Sequence, residues 1–216
     1  MSRTLTVPAL LIVLSLVPAA AGTVRLAELT GGAAITEANQ RFMATPVPVV
    51  LHILAVVPYS LVGAFQFAPA FRRRHRRLHR AAGSVLVVLG LMGALTGLWM
   101  AHFYPWPAGD GEAVYGLRLL FGSAMVLSIV LSLDAVRRRD FVAHGAWMMR
   151  GYAIGLGAGT QVLTHLPYFA LVDQPNELGR AVAMGAGWVI NVVVAEVIIR
   201  RNRPSYINAA WTAALR

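Results

Sequence analysis

The chain contains no cysteine, which removes disulfides, thiol catalysis and cysteine-ligated zinc or iron together. Lysine is absent too, so all 19 basic residues are arginine. Charge of any sign is scarce: only 13% of residues carry it, against roughly a quarter in an average soluble domain. A water-facing shell around a core of this size is therefore missing. There is also no phosphate-binding loop, no nucleophile motif and no polar segment able to house soluble catalysis. The only enzyme class left conceivable is a membrane oxidoreductase, and no catalytic residue is assigned.

What is present is apolar. Hydrophobic residues make up 57% of the 216, a composition that lipid solvates without any polar surface. The formal charge of +10 raises the question of nucleic acid. The arginines flank long apolar runs, however, so orientation in a bilayer explains them and no nucleic-acid partner is expected.

Six stretches reach the roughly 17–25 apolar residues needed to cross a bilayer as a helix: 5–24, 46–70, 81–103, 113–135, 148–171 and 180–200. The connections alternate in charge. Residues 71–80 read FRRRHRRLHR, residues 137–139 are three further arginines, and Arg200, Arg201 and Arg203 follow the last stretch. The other connections mix Arg25 and Arg41 with Glu28, Glu37, Asp110, Glu112, Asp173 and Glu177. Arginine-rich short loops stay cytoplasmic, and an even number of crossings then puts both termini there. The expectation is one all-α domain over residues 1–216: a polytopic transmembrane helical bundle in the inner, cytoplasmic-type membrane. Its partner is the lipid bilayer, with an oligomer or a partner membrane protein left open. The first stretch has a rival reading, because Arg3, the run Val7–Val17 and Ala19-Ala20-Ala21 have the look of a cleavable signal. Multi-spanning proteins need no such cleavage, and it is counted as a spanning helix.

Glycines at i, i+4 spacing let helix backbones approach closely in lipid. Gly93 and Gly97 form one such step, and Gly151, Gly155 and Gly159 form two. The third and fifth segments are therefore expected to be the central pair. Two loops also match in register: Arg72-Arg73-Arg74 precedes His79 as Arg137-Arg138-Arg139 precedes His144. That register implies two parallel hairpins.

Ionisable side chains at membrane depth are costly and usually face the bundle interior. The polar side chains at this depth fall in two layers. His52, His102, Arg118 and His165 occupy the outer one; Gln66, His79, His144, Arg150 and Glu196 occupy the inner one. Neutral imidazoles on facing helices are the usual axial pair of haem b, and arginine beside them would hold a propionate or a quinone carbonyl. His52, His79, His102, Arg118, His144, Arg150 and His165 are thus the candidate cofactor-binding residues, with haem b or quinone as the group. The plainer alternative is that edge histidines bond helix ends and that Arg150 simply pairs with Glu196. His75 and His79 have metal-like i, i+4 spacing, but the surrounding arginines repel a cation, and no metal site is expected. Competing functions are a small-solute carrier using Gln66, Gln161, Asn191 and Glu196, or a non-catalytic accessory protein.

Certain motifs carry a resemblance: Gly63-Ala64-Phe65-Gln66-Phe67, Leu78-His79-Arg80 with Gly83, Arg138-Arg139-Asp140, and His144 through Trp147-Met148-Met149-Arg150. Over the second to sixth segments the chain resembles a bacterial family of predicted membrane proteins with a domain of unknown function, numbered 2306. Ser84 stands where many members have arginine after Gly83. The resemblance implies a polytopic membrane protein and names no reaction. The arrangement of histidines near both faces is similar to that of cytochrome b561-type proteins, a likeness of layout only. The topology predicts that a reporter enzyme fused after Arg80 reads cytoplasmic and one fused after Asp110 reads external; the reverse pattern would overturn the orientation.

Overall fold

The computed structural model describes residues 3–172 and 176–202, with the backbone alone for residues 3–5. The expected charges Arg203 and Asp173 lie outside the described residues, as does the C-terminal end. The chain is built of helices, with no strand among the described residues: α1 Arg3–Thr30, α2 Gln40–Ala44, α3 Pro46–Gln66, α4 Pro69–Arg74, α5 Arg76–Phe103, α6 Glu112–Arg137, α7 Phe141–Gly155, α8 Gly157–Leu171 and α9 Glu177–Asn202. Five of them (α1, α3, α5, α6, α9) are long and apolar enough to cross a membrane. Only 11–33% of the apolar window in each is buried, so most of the apolar surface points outward, where only lipid can solvate it.

Two segment boundaries differ from the sequence reading. The second segment does not run to residue 70. It stops at Gln66, because Ala68 before Pro69 is extended (φ −87°, ψ 108°) and Pro69 opens α4. The fifth segment is not one helix either. It breaks at Leu156 into α7 and α8, of 15 residues each. Each half rises about 22 Å, short of the hydrocarbon thickness, and only both together exceed it. Trp188 of α9 packs into the break: a Cβ at Gly157 would overlap its indole.

The helices form a ring in which α1 packs on α3, α3 on α5, α5 on α6, α6 on α9, α9 on α8 and α8 on α1, with α7 against α6 and α9. The expected pairing of the two glycine-bearing segments is therefore corrected. Gly93 and Gly97 face Val56 and His52 of α3, while Gly151 faces Ser128 and Ile129 of α6. The third segment packs on the second and the fifth on the fourth, as hairpins do, because their connections are short.

The tightest approach has two causes in the sequence. Pro18 has no N–H, so the Leu14 carbonyl four residues earlier loses its helical donor. Gly159 of α8 lies directly on that carbonyl oxygen, and a Cβ there would overlap it. A Cα–H contact to the freed carbonyl is the natural substitute. The α6–α7 turn is set by local chemistry as well. Arg139 takes φ 61°, Asp140 N donates to Ala135 O, and the Asp140 carboxylate then accepts from Ala143 N at 2.9 Å as the cap of α7. Gly159→Ala is expected to cost about 1–3 kcal/mol, because backbone rather than a flexible side chain blocks the added methyl. Gly145→Ala, with open space around it, is expected to be neutral or slightly stabilising; thermal unfolding in detergent distinguishes the two.

Candidate functional site

The ring encloses a cavity of about 410 Å³. It runs from the loops at the end opposite the arginine clusters (Arg41, Trp106, Pro107) to the middle of the bundle at Tyr59 and the α7–α8 break. Its walls are mostly apolar, with a few polar groups set into them.

His52 is held by α5. Its Nδ1 lies 2.9 Å from Gly93 O and 3.1 Å from Thr96 Oγ1, and Gly97 leaves room for the ring. A carbonyl only accepts, so Nδ1 carries a hydrogen, which in the neutral imidazole leaves the lone pair on Nε2. Nε2 has no partner among the described residues. Tyr59 stands deeper. Its ring is wedged between Gly90 and Gly155, where a Cβ on either would press on it, and it tilts against Tyr152 at 5.6 Å between centroids. The Tyr59 hydroxyl is buried without a hydrogen-bond partner, whereas Tyr152 donates to Ser60 O at 2.6 Å. An unsatisfied hydroxyl at this depth costs about 1–3 kcal/mol, and Tyr59 is one of the residues that line the cavity.

At the mouth, Arg118 lies 2.6 Å from Asp110 Oδ2 and Arg180 donates to Asp110 Oδ1 at 2.5 Å. The Asp110 side chain is only 1% exposed. Arg41 reaches Pro105 O at 3.4 Å, and its Nε is buried without a partner. Burial, and then the Arg118 charge, hold the Arg41 guanidinium below its usual range.

Of the seven residues singled out in the sequence, the cavity brings together His52 and Arg118. The other five lie outside its lining. His102 bonds Tyr115 Oη at 2.8 Å near the mouth. His165 bonds Gln161 O, one turn back on its own helix, at 2.8 Å. At the arginine-rich end, His144 Nδ1 meets the fully buried Ser132 hydroxyl at 2.7 Å. His79 Nδ1 is buried without a partner there, within electrostatic range of Arg72 and His144. Arg150 lies 4.4 Å from the Trp147 ring centroid and pairs with Glu196 through two hydrogen bonds, the longer at 3.1 Å. Sequence reasoning missed Arg41, Tyr104, Trp188 and the role of Asp110. Asp110 and Arg180 are 70 positions apart, and nothing in either neighbourhood signals the other. Only packing reveals that nothing bonds the Tyr59 hydroxyl of α3.

An all-α bundle with lipid-facing apolar helices and an internal cavity defines a polytopic membrane protein. More particularly, the chain belongs to the family of predicted membrane proteins DUF2306, whose profile matches residues 49–199. No curated protein and no solved structure matches it. The matched region holds most of the ring and most of the cavity wall; α1 and Arg41 lie before it.

The Arg150–Glu196 pair is partly buried, at 21% and 29% exposed. Removing one partner strands the other, so Arg150→Met and Glu196→Leu should each cost about 1–3 kcal/mol. The double variant should cost less than the sum, with the coupling read from unfolding midpoints.

Proposed function

We propose that this protein binds a lipid-soluble carbonyl compound of the quinone class inside its bundle, in a cytoplasmic-type membrane, in association with membrane redox chemistry. The observation that carries the reading is a buried hydroxyl without a partner, that of Tyr59, on a residue that lines an apolar cavity together with His52. Tyr59 donates to a quinone carbonyl. Neutral His52, with Nε2 as acceptor, takes the hydroxyl of the reduced form. The two residues are seven positions apart on α3, about 10 Å of rise and within about 20° on one face of the helix.

Haem b fits less well. Axial ligation by two histidines needs a second imidazole facing His52, and among the described residues His52 is the only histidine on the cavity wall. The solute-carrier reading draws support from the reach of the cavity, from loops to mid-bundle. Of its polar groups, however, only Gln161 lines the space. Asn191 is taken up by Thr160 and Ala153 O, and Glu196 by Arg150.

Trp106 and Trp188 line the cavity, so a bound quinone quenches their fluorescence. Titrating the detergent-purified chain with a short-tailed benzoquinone is expected to give saturable quenching. Tyr59→Phe weakens binding about 5-fold, and His52→Ala about 10-fold or more, as single buried hydrogen bonds do. Linear, unsaturable quenching, or identical curves for the wild type and both variants, would sink the reading. A bis-histidine haem spectrum of the purified protein would replace it.

A further inference from the structure

The mouth of the cavity carries a charge imbalance that the quinone reading does not use. Three guanidiniums, those of Arg41, Arg118 and Arg180, gather around one carboxylate, Asp110. Asp110 spends one oxygen on Arg118 and the other on Arg180. Arg41 has no carboxylate within 4 Å among the described residues. Arg25, which stacks on the same Phe42 ring as Arg41, is neutralised by its own pair with Glu28. Glu177 packs on Gly111 close by, but it is exposed and makes no ion pair with any of these arginines among the described residues. Two positive charges are therefore left uncompensated in a half-buried setting.

The Arg41 side chain is also held in position. Its guanidinium carbon sits 4.5 Å from the Phe42 ring centroid, and that of Arg25 sits 4.6 Å from the same centroid. Phe42 in turn meets Tyr104 edge-on at 5.5 Å, and Tyr104 is fixed by a hydrogen bond to Thr45 O. A stacked guanidinium with a buried, partnerless Nε presents its fork instead of collapsing onto the protein surface. Arg41 and Arg118 both line the cavity. Two guanidiniums that repel each other across a shared opening are stable together when an anion lies between them, and a tetrahedral oxyanion meets both forks at once.

We propose that Arg41 and Arg118 form a binding site for a phosphate-type oxyanion at the mouth of the cavity. The group comes either from a free phosphate or from the headgroup of an anionic lipid seated between α2 and α6. Arg41 supplies a fork whose one protein hydrogen bond among the described residues is the long one to Pro105 O at 3.4 Å. Arg118 is oriented by Asp110, and Arg180 completes that orientation from α9. The site is independent of the quinone, being built from different side chains and read without any quinone present.

The test is thermal unfolding of the full-length purified protein, followed by intrinsic fluorescence. The probes are inorganic phosphate against sodium chloride of equal ionic strength in detergent, and nanodiscs of phosphatidylglycerol against phosphatidylcholine. Phosphate at about ten times its Kd should raise the midpoint by a few degrees. Arg41→Gln should abolish the shift, Arg41→Lys should keep part of it, and exposed Arg73→Gln at the opposite end should leave it unchanged. A shift seen only with phosphatidylglycerol, and lost in Arg41→Gln, assigns the site to a lipid headgroup and supports the proposal equally. Without either probe, Arg41→Gln should unfold no earlier than the wild type, since it relieves repulsion. Three results would overturn the site: no response to either probe, responses indifferent to Arg41, or a large loss of stability in probe-free Arg41→Gln.

Discussion

Inside a bilayer no water is available to a hydroxyl, amide or carbonyl, and each one left alone costs several kcal/mol. That constraint organises this protein more than apolar contact does, because lipid tails cover an apolar helix as well as another helix can. Its polar side chains are accordingly spent on backbone. Some bond their own helix, as Ser15 does to Leu11 O and Ser128 to Ala124 O. Others cross to a neighbour: Thr164 to Ala183 O, Asn191 to Ala153 O, Tyr152 to Ser60 O. The second group ties α8, α7 and α3 to their partners where hydrophobic expulsion of water is not available. Against that pattern, the Tyr59 hydroxyl, Arg41 Nε and His79 Nδ1 stand out as buried atoms without a partner, the first two on residues that line the cavity.

The arginines divide along the same line. Those in the clusters at residues 72–80 and 137–139 are exposed and make few contacts; their work is done by charge at one face of the membrane. Arg25, Arg41, Arg118 and Arg180 lie at the other face, where the same rule disfavours them, and all four are half-buried. Three of these four have a carboxylate within ion-pair distance, Glu28 or Asp110. The same residue type thus serves as a solvated anchor at one end and as a built electrostatic cluster at the other.

The helical architecture was legible because a long apolar run has one low-cost conformation in lipid, and because Arg runs mark loop ends. Boundaries were less so. The stop at Gln66 follows from Pro69, a signal present in the sequence but outweighed by the apolar run through residue 70. The break at Leu156 has no proline to announce it; the indole of Trp188, from another helix, fills the space at Gly157. On the fifth segment Arg150, Gly157, Gln161 and Thr164, which share a face by helical periodicity, all meet a single neighbour, α9. Periodicity tells which residues share a face, but not which helix that face meets. For this reason the two glycine motifs were assigned to each other and instead serve different partners. The histidine layers failed to converge on one site for the same reason, since depth in the membrane is readable from position and azimuth around the bundle is not.

Those glycine motifs also explain why there is a cavity at all. Gly93, Gly97, Gly155 and Gly159 all line it, although small residues at such spacing ordinarily signal close contact without a gap. Each removes a Cβ from the interior, and what happens next depends on the neighbour. Where a freed carbonyl or an aromatic ring moves in, as Leu14 does at Gly159 and Tyr59 does at Gly155, the space closes and two helices are clamped. Where the neighbour is a ring held back by its own hydrogen bond, as His52 is at Gly97, the space stays open. The same four residues thereby hold the ring of helices together and keep its centre hollow: a methyl at Gly97 would narrow the cavity, whereas one at Gly159 would force the clamped helices apart.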